Sequence, residues 1–127
     1  MTDFSNPPGV PVPTGLYSQS ALVKAGSDLV FIAGQIGVRT DGTIGVTIEE
    51  QADTAFGHLV TILKSHGLGP RNIVKMQIFL VDRGDREATT AARRKHLGDH
   101  KPTTTLVIVA GLGQPNYLIE VEAIAAR

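Results

Sequence analysis

The sequence predicts an α+β domain in the order β-β-α-β-α-β-β, with two helices on one face of a mixed, mostly antiparallel sheet. Two kinds of pattern predict it. Five short runs are rich in β-branched and aliphatic residues and end at Gly, Pro or Asp turn signals, as strands do. Two longer windows carry apolar residues at helical spacing instead. The length, 127 residues, is that of one domain, large enough for its own core yet small enough to gain from association.

Residues 1–15 read as a Pro-rich arm ahead of a domain spanning 16–127. Four of the seven prolines, Pro7, Pro8, Pro11 and Pro13, fall in the arm, where they remove donors and favour extended geometry. The first strand is expected over Leu16 to Lys24 and the second over Leu29 to Gln35, with a turn at Ala25-Gly26-Ser27-Asp28. After a further turn at Asp41-Gly42, Thr47 opens a helix, because Thr47 with Glu50 three residues on is a capping box. Ile48, Ala52, Ala55, Phe56, Leu59, Ile62 and Leu63 form its apolar stripe, and Gly67 with Gly69-Pro70 behind it ends it. Ile73 to Val81 is the third strand. A second helix between Asp85 and Gly98 has a thin stripe of Ala88, Ala91, Ala92 and Leu97. The fourth strand follows Lys101-Pro102 and runs through Thr103-Thr104-Thr105-Leu106-Val107-Ile108-Val109. Gly111, Gly113 and Pro115 then punctuate before the fifth, Leu118 to Ala125.

Side chains alternate across a sheet, so each strand has two readable faces. In the second strand Leu29, Phe31 and Ala33 take one side and Val30, Ile32 and Gly34 the other. In the fourth, Leu106, Ile108 and Ala110 oppose Val107 and Val109. These strands are apolar on both sides, whereas two helices cover only one. Self-association is the economical source of a second layer.

Composition excludes several functions. Twelve basic and twelve acidic residues leave no net charge, against wholesale binding to nucleic acid or anionic membrane. The absence of cysteine excludes disulfides, thiolate nucleophiles and Cys-based zinc sites. The N-terminus has no basic segment followed by an apolar core, and no apolar run approaches the roughly 20 residues of a membrane span. Cytoplasmic residence is the expectation.

Glu120 and Glu122 fall on one face of the last strand, roughly 7 Å apart. Paired carboxylates are expensive to bury, so that face meets water, a polar cleft or a partner. His96 and His100 have the spacing of helical metal ligands, but Gly98 interrupts the helix and no third ligand is evident. His58 and His66 read as solvated. Arg93-Arg94-Lys95-His96 complements a helix dipole and needs no other explanation. Gly34-Gln35-Ile36-Gly37 lacks the lysine of a phosphate loop, although its backbone groups would allow a ligand close approach. Thr103, Thr104 and Thr105 are either good strand formers or hydroxyls lining a cleft.

Five short pieces in order carry a family resemblance: Tyr17-Ser18-Gln19, Ala33-Gly34-Gln35-Ile36, Ile73-Val74-Lys75 with Phe79-Leu80-Val81-Asp82, Lys101-Pro102, and Ile119-Glu120-Val121-Glu122-Ala123-Ile124-Ala125. On these the chain resembles the RidA/YjgF (reactive intermediate deaminase) family over nearly its whole length. The resemblance implies a chorismate-mutase-like fold, a homotrimer and ligand clefts between subunits. It implies hydrolysis of enamines and imines such as 2-aminoacrylate to ketoacids and ammonia, with no metal or organic cofactor. Carried over by position, Tyr17, Gly34 and Glu120 match the family's site, with Glu120 the catalytic group that handles water and Gln35 beside Gly34 at a cleft-lining turn. The family's Pro-x-Arg-Ser/Thr reads here Pro102-Thr103-Thr104-Thr105, which puts Thr104 where the substrate-carboxylate arginine stands and Thr105 beside it. A helix-two asparagine of the family falls near Glu87. Losing a guanidinium fork weakens any carboxylate clamp, so activity on 2-aminoacrylate is expected to be weak or absent. Three functions follow: a cofactor-free hydrolase of imines, enamines or related metabolites; a non-catalytic trimer binding a metabolite or partner; and, distantly, an RNA-binding or ribonuclease module.

Overall fold

A computed structural model of the chain describes residues 2–127. Six strands and two helices appear: β1 Thr2–Ser5, β2 Ser20–Val23, β3 Leu29–Ile36, α1 Ile48–Ser65, β4 Ile73–Leu80, α2 Arg86–Leu97, β5 Thr103–Ile108 and β6 Ile119–Ala126. The main sheet is four-stranded in the order β3-β6-β4-β5, with β4 and β5 parallel and the other pairs antiparallel. The predicted α+β class therefore holds, with one strand more than expected.

The additional strand lies in the Pro-rich arm. Thr2–Ser5 pairs antiparallel with Ser20–Val23, and Pro7 and Pro8, which lack N–H donors, stop it from continuing. The return loop is tied by Gln19, whose N–H donates to Asn6 Oδ1 at 2.8 Å and whose Nε2 donates to the Pro11 carbonyl at 2.9 Å.

The strand expected over Leu16 to Lys24 is shorter for a tertiary reason. The Leu16 carbonyl accepts from Arg93, and Ser18 donates its N–H to the Pro102 carbonyl and its hydroxyl to the Lys101 carbonyl. These bonds draw the chain toward the start of β5 before it can extend. The turn after β2 is as expected, with Gly26 at φ +86° and Ser27 N–H bonded to the Lys24 carbonyl. It does not make a β2–β3 hairpin: β1 and β2 form a separate two-stranded sheet, and the outer edge of β3 has no partner strand among the described residues. An edge-to-face contact between Phe4 and His100, with centroids 5.2 Å apart, helps seat the β1–β2 hairpin.

Thr47 caps α1, its hydroxyl accepting from the Glu50 N–H at 3.2 Å, but the expected box is half made: the Glu50 carboxylate accepts from the Thr47 hydroxyl and from Arg39 instead. Ala52, Ala55, Phe56, Leu59 and Leu63 are buried against Ile73, Met76, Leu80, Ile119 and Val121. The second helix is turned by one residue from expectation. Its buried positions are Thr89, Ala92, Arg93 and Leu97, while Ala91 is exposed. Asp53 joins the two helices by accepting from Lys95 Nζ and bonding His96 Nε2, each at 2.7 Å. The Lys95 hydrogen bond, then that of His96, holds the Asp53 carboxyl below the usual carboxylate range.

Gln51 is 1% exposed and spans three segments. Its Nε2 donates to the carbonyls of Gly45 and Asn116 at 2.8 and 2.9 Å, and its Oε1 accepts from the Leu118 N–H at 2.8 Å. Gly37 packs on the same side chain, where a Cβ would lie 2.5 Å from Gln51 Cβ. Replacing Gln51 with leucine fills similar space but strands two carbonyls and one N–H. Gln51→Leu is expected to cost about 3 kcal/mol in urea unfolding; a loss below about 0.5 kcal/mol would show that water replaces the amide.

Candidate functional site

β6 is bonded on both edges, so its alternation is fixed. Ile119, Val121, Ala123 and Ala125 are buried under the helices, and Glu120, Glu122 and Ile124 stand on the other face. Directly opposed residues share a face. Phe79, Gln77 and Lys75 of β4 therefore line up with Glu120, Glu122 and Ile124 on the side that the helices leave open. Phe31 is 72% exposed there, and it borders a cleft of about 450 Å³ with Lys75, Gln77, Glu122 and Ile124.

β3 carries a bulge that the alternation pattern did not reveal. Ile32 opposes Ala123 and Gln35 opposes Val121, so Ala33 and Gly34 together stand opposite Glu122. The bulge moves Gly34 from the Val30–Ile32 side to the open face. Glu120 takes advantage of the missing side chain: a Cβ on Gly34 would lie 1.9 Å from Glu120 Oε2 and 2.7 Å from its Cδ. The Glu120 carboxylate thus lies against bare β3 backbone, half-buried, while Glu122 is exposed. Gln35 folds back on its own strand, donating Nε2 to the Ala33 carbonyl at 3.0 Å.

Thr104 opposes Met76, which is fully buried in the core, so Thr104 faces the helices. Thr105 opposes Gln77 on the open face. Tyr17 and Thr104 line one cavity, of about 490 Å³, with Thr89, Arg93 and Leu106. Glu87 lies elsewhere, on a shallow groove between α1 and α2 beside Glu49, Glu50 and Asp53. Within one chain the expected site residues thus fall into separate groups: Gly34 with Glu120, Thr105 with Gln77, Tyr17 with Thr104, and Glu87 apart.

Arg93, which the sequence places in a basic run at the end of the second helix and outside the expected site residues, reaches the cavity lined by Tyr17 and Thr104. Its Nη2 donates to Thr104 Oγ1 at 3.3 Å and to the Leu16 carbonyl, bringing a guanidinium to the threonine that stands in the family arginine's place. Its spacing held the signal, because Thr89, Arg93 and Leu97 fall four apart along one buried line. Burial first, then the neighbouring Arg94, lowers the Arg93 pKa to about 10. The cost to folding of a charged Arg93 is fully present below about 10 and eases as pH rises through that value toward the unfolded one.

No group of three or more His, Asp or Glu side chains among the described residues is placed to hold a metal. His96 is taken by Asp53, and His100 bonds the Ile73 carbonyl at 2.8 Å. His58 is half-buried rather than solvated, its Nε2 bonded to the Val38 carbonyl at 2.7 Å. No helix among the described residues is long and apolar enough to cross a membrane.

A mixed sheet with helices on one face and a seated carboxylate on the other defines an α+β domain with an open, polar sheet face. Residues 9–127 match the family model described as endoribonuclease L-PSP. A RutC family protein from Pyrococcus horikoshii is 33% identical over 119 residues, covering 92% of this chain and 91% of that protein. The 2-iminobutanoate/2-iminopropanoate deaminase of Dermatophagoides farinae is 30% identical over 119 residues, covering 92% and 90%. E. coli TdcF, solved with bound serine, superposes with a TM-score of 0.74 at 30% identity over 98% of each chain. The conserved Rid family protein YyfB of Yersinia pestis shares the fold, with a TM-score of 0.87 at 21% identity over 99% and 98%. The chain belongs to the RidA/YjgF family.

The seat under Glu120 makes a measurable pair. Gly34→Ala is expected to push the carboxylate off β3, and Glu120→Ala to remove that conflict. A double-mutant cycle by urea unfolding should give a coupling of about 1 kcal/mol, with Gly34→Ala costing less in the Glu120→Ala background. Strict additivity would show that the two residues do not touch.

Proposed function

We propose that the chain is a cofactor-free hydrolase of an imine, enamine or related metabolite, acting as a cytoplasmic homotrimer with its cleft between subunits. The observation that carries this reading is the Glu120 carboxylate, held against Gly34 on the uncovered sheet face. It is a fixed proton acceptor at a surface that a second copy would enclose. Exposed Phe31 and Leu29 supply apolar area for that association. The names of two similar proteins point the same way, one an iminobutanoate/iminopropanoate deaminase and one solved with bound serine.

Glu120 takes a proton from water as the oxygen attacks the carbon of C=N, and hands that proton to the nitrogen, giving a neutral carbinolamine. Glu120 then takes the carbinolamine hydroxyl proton as the C=O bond forms and the C–N bond breaks, and passes it to the departing amine, leaving a carbonyl and ammonia. The carboxylate ends as it began, so no cofactor is consumed. Thr104 offers a neutral hydroxyl to the substrate. The Arg93 guanidinium behind it already shares Nη2 between two acceptors, so a lone substrate carboxylate is held weakly. The family's description mentions an endoribonuclease, but zero net charge and a face bearing Glu120 and Glu122 beside Lys75 favour a small molecule over a phosphate backbone.

The test is ammonia release from a panel of imines generated in place by an amino-acid oxidase. At least one imine should turn over, Glu120→Gln should lower kcat by about 100-fold or more, and 2-aminoacrylate should be a poor substrate. Sedimentation of the same preparation should give a trimer. Binding of panel compounds without turnover would instead make the chain a non-catalytic ligand-binding member, and a stable monomer at micromolar concentration would remove the intersubunit cleft.

A further inference from the structure

We propose that the cavity between α2 and β5 binds a small organic dianion, gripped by Arg93 with Arg86 and Arg94. Tyr17 and Thr104 line this cavity, so the inference rests on the hydrolase reading for the site and adds the charge class of its ligand; binding is read apart from turnover, so the two can fail separately.

The first argument is an unpartnered buried donor. Arg93 keeps only 7% of its surface exposed, and its Nε has no hydrogen-bond partner. Buried guanidinium groups that serve packing alone are paired, since an unpaired charge costs several kcal/mol and an apolar side chain of similar volume fills the space without that cost. The two acceptors that Arg93 does have, the Leu16 carbonyl and the Thr104 hydroxyl, are neutral. Its charge is therefore not answered within the cavity.

The second argument is charge accumulation. Arg86, Arg93 and Arg94 line the same space of about 490 Å³. Among the described residues none of the three forms an ion pair with a carboxylate, while six pairs form elsewhere on the chain. Three like charges in one concavity repel one another, and a monoanion would leave two of them unbalanced. Thr90 adds a hydroxyl that can donate to a further oxygen, while Thr89 and Thr104 donate theirs to the carbonyls of Asp85 and Pro102. Planar guanidinium forks fit carboxylate and phosphate oxygens alike. Ile78 and Leu106 give the cavity an apolar wall, which suits a carbon skeleton rather than a bare inorganic ion. Burial first, then Arg94, depresses the Arg93 pKa to about 10, and a bound anion would offset it.

Phosphate monoesters and dicarboxylates share this chemistry, and the experiment separates them. Thermal unfolding and titration calorimetry of the full chain are run with inorganic phosphate, glycerol phosphate, succinate and propionate, each matched in ionic strength with chloride. A dianion is expected to raise Tm by about 5 °C near saturation, with propionate giving little. Arg93→Met should raise the Tm of the ligand-free protein and weaken dianion binding at least tenfold. That combination would not come from a structural role, in which losing Arg93 would only lower Tm. A response to phosphates alone assigns a phosphorylated ligand, and a response to succinate alone a dicarboxylic one. If Arg93→Met does not fold, Arg86→Gln and Arg94→Gln, both at exposed positions, serve instead and should each weaken binding. No dianion response above chloride, or binding unchanged in the variants, overturns the proposal.

Discussion

Two helices lie on one face of the β3-β6-β4-β5 sheet, and Phe31, Lys75, Gln77 and Glu122 border an open cleft on the other. That one-sidedness governs the rest of the molecule. It places the alternation of β6 between a packed interior and a surface, so neighbouring residues of one strand serve opposite purposes. Val121 and Ala123 complete the core, while Glu120 and Glu122 are kept out of it. A substitution that shifted β6 by one residue would bury both carboxylates and expose four core side chains, which is why the register is so strongly determined.

The same geometry separates the groups expected to act together. Glu120 and Thr104 belong to opposite sides of one sheet, so a site containing both would draw them from different copies of the chain. On the helix side, Arg93 brings to Thr104 the type of group that β5 lacks, but from a helix and from a recessed position. A cation supplied this way differs from one carried on the strand. It is flanked by Arg86 and Arg94, and its orientation is set by the Leu16 carbonyl in the segment that would otherwise have extended β2. The shortening of β2 and the placement of the guanidinium are one event.

The sequence was most legible where local chemistry and tertiary packing agree. Thr47 and Glu50 mark the start of α1 because the cap is a local hydrogen bond, and the apolar stripe fixes its buried face. The second helix was harder to read because alanines fall on both sides of its stripe, so the small difference between Ala91 and Arg93 decided the rotation. A charged residue type concealed a buried position that the spacing from Thr89 to Leu97 marks plainly. The bulge at Ala33 and Gly34 was illegible for another reason. Alternation predicts a face only while the ladder stays regular, and one extra residue reverses it. Strand propensity identified β2 without indicating its partner, since pairing with β1 is set by tertiary contacts, as is the docking of Ser18 on Lys101, 83 residues away.

The position of β6 also carries a consequence for the order of events during synthesis. The strand bonded to both β3 and β4 is made after every other strand. As the chain leaves the ribosome, β3 and α1 emerge early but lack the strand between β3 and β4, and the Gln51 amide lacks its partners at Asn116 and Leu118. Helix packing can begin, whereas closure of the sheet waits for the last segment to be released. In that interval the edges of β3 and β4 are open to strands of other nascent chains, a hazard that abates only when Ile119–Ala126 slots between them.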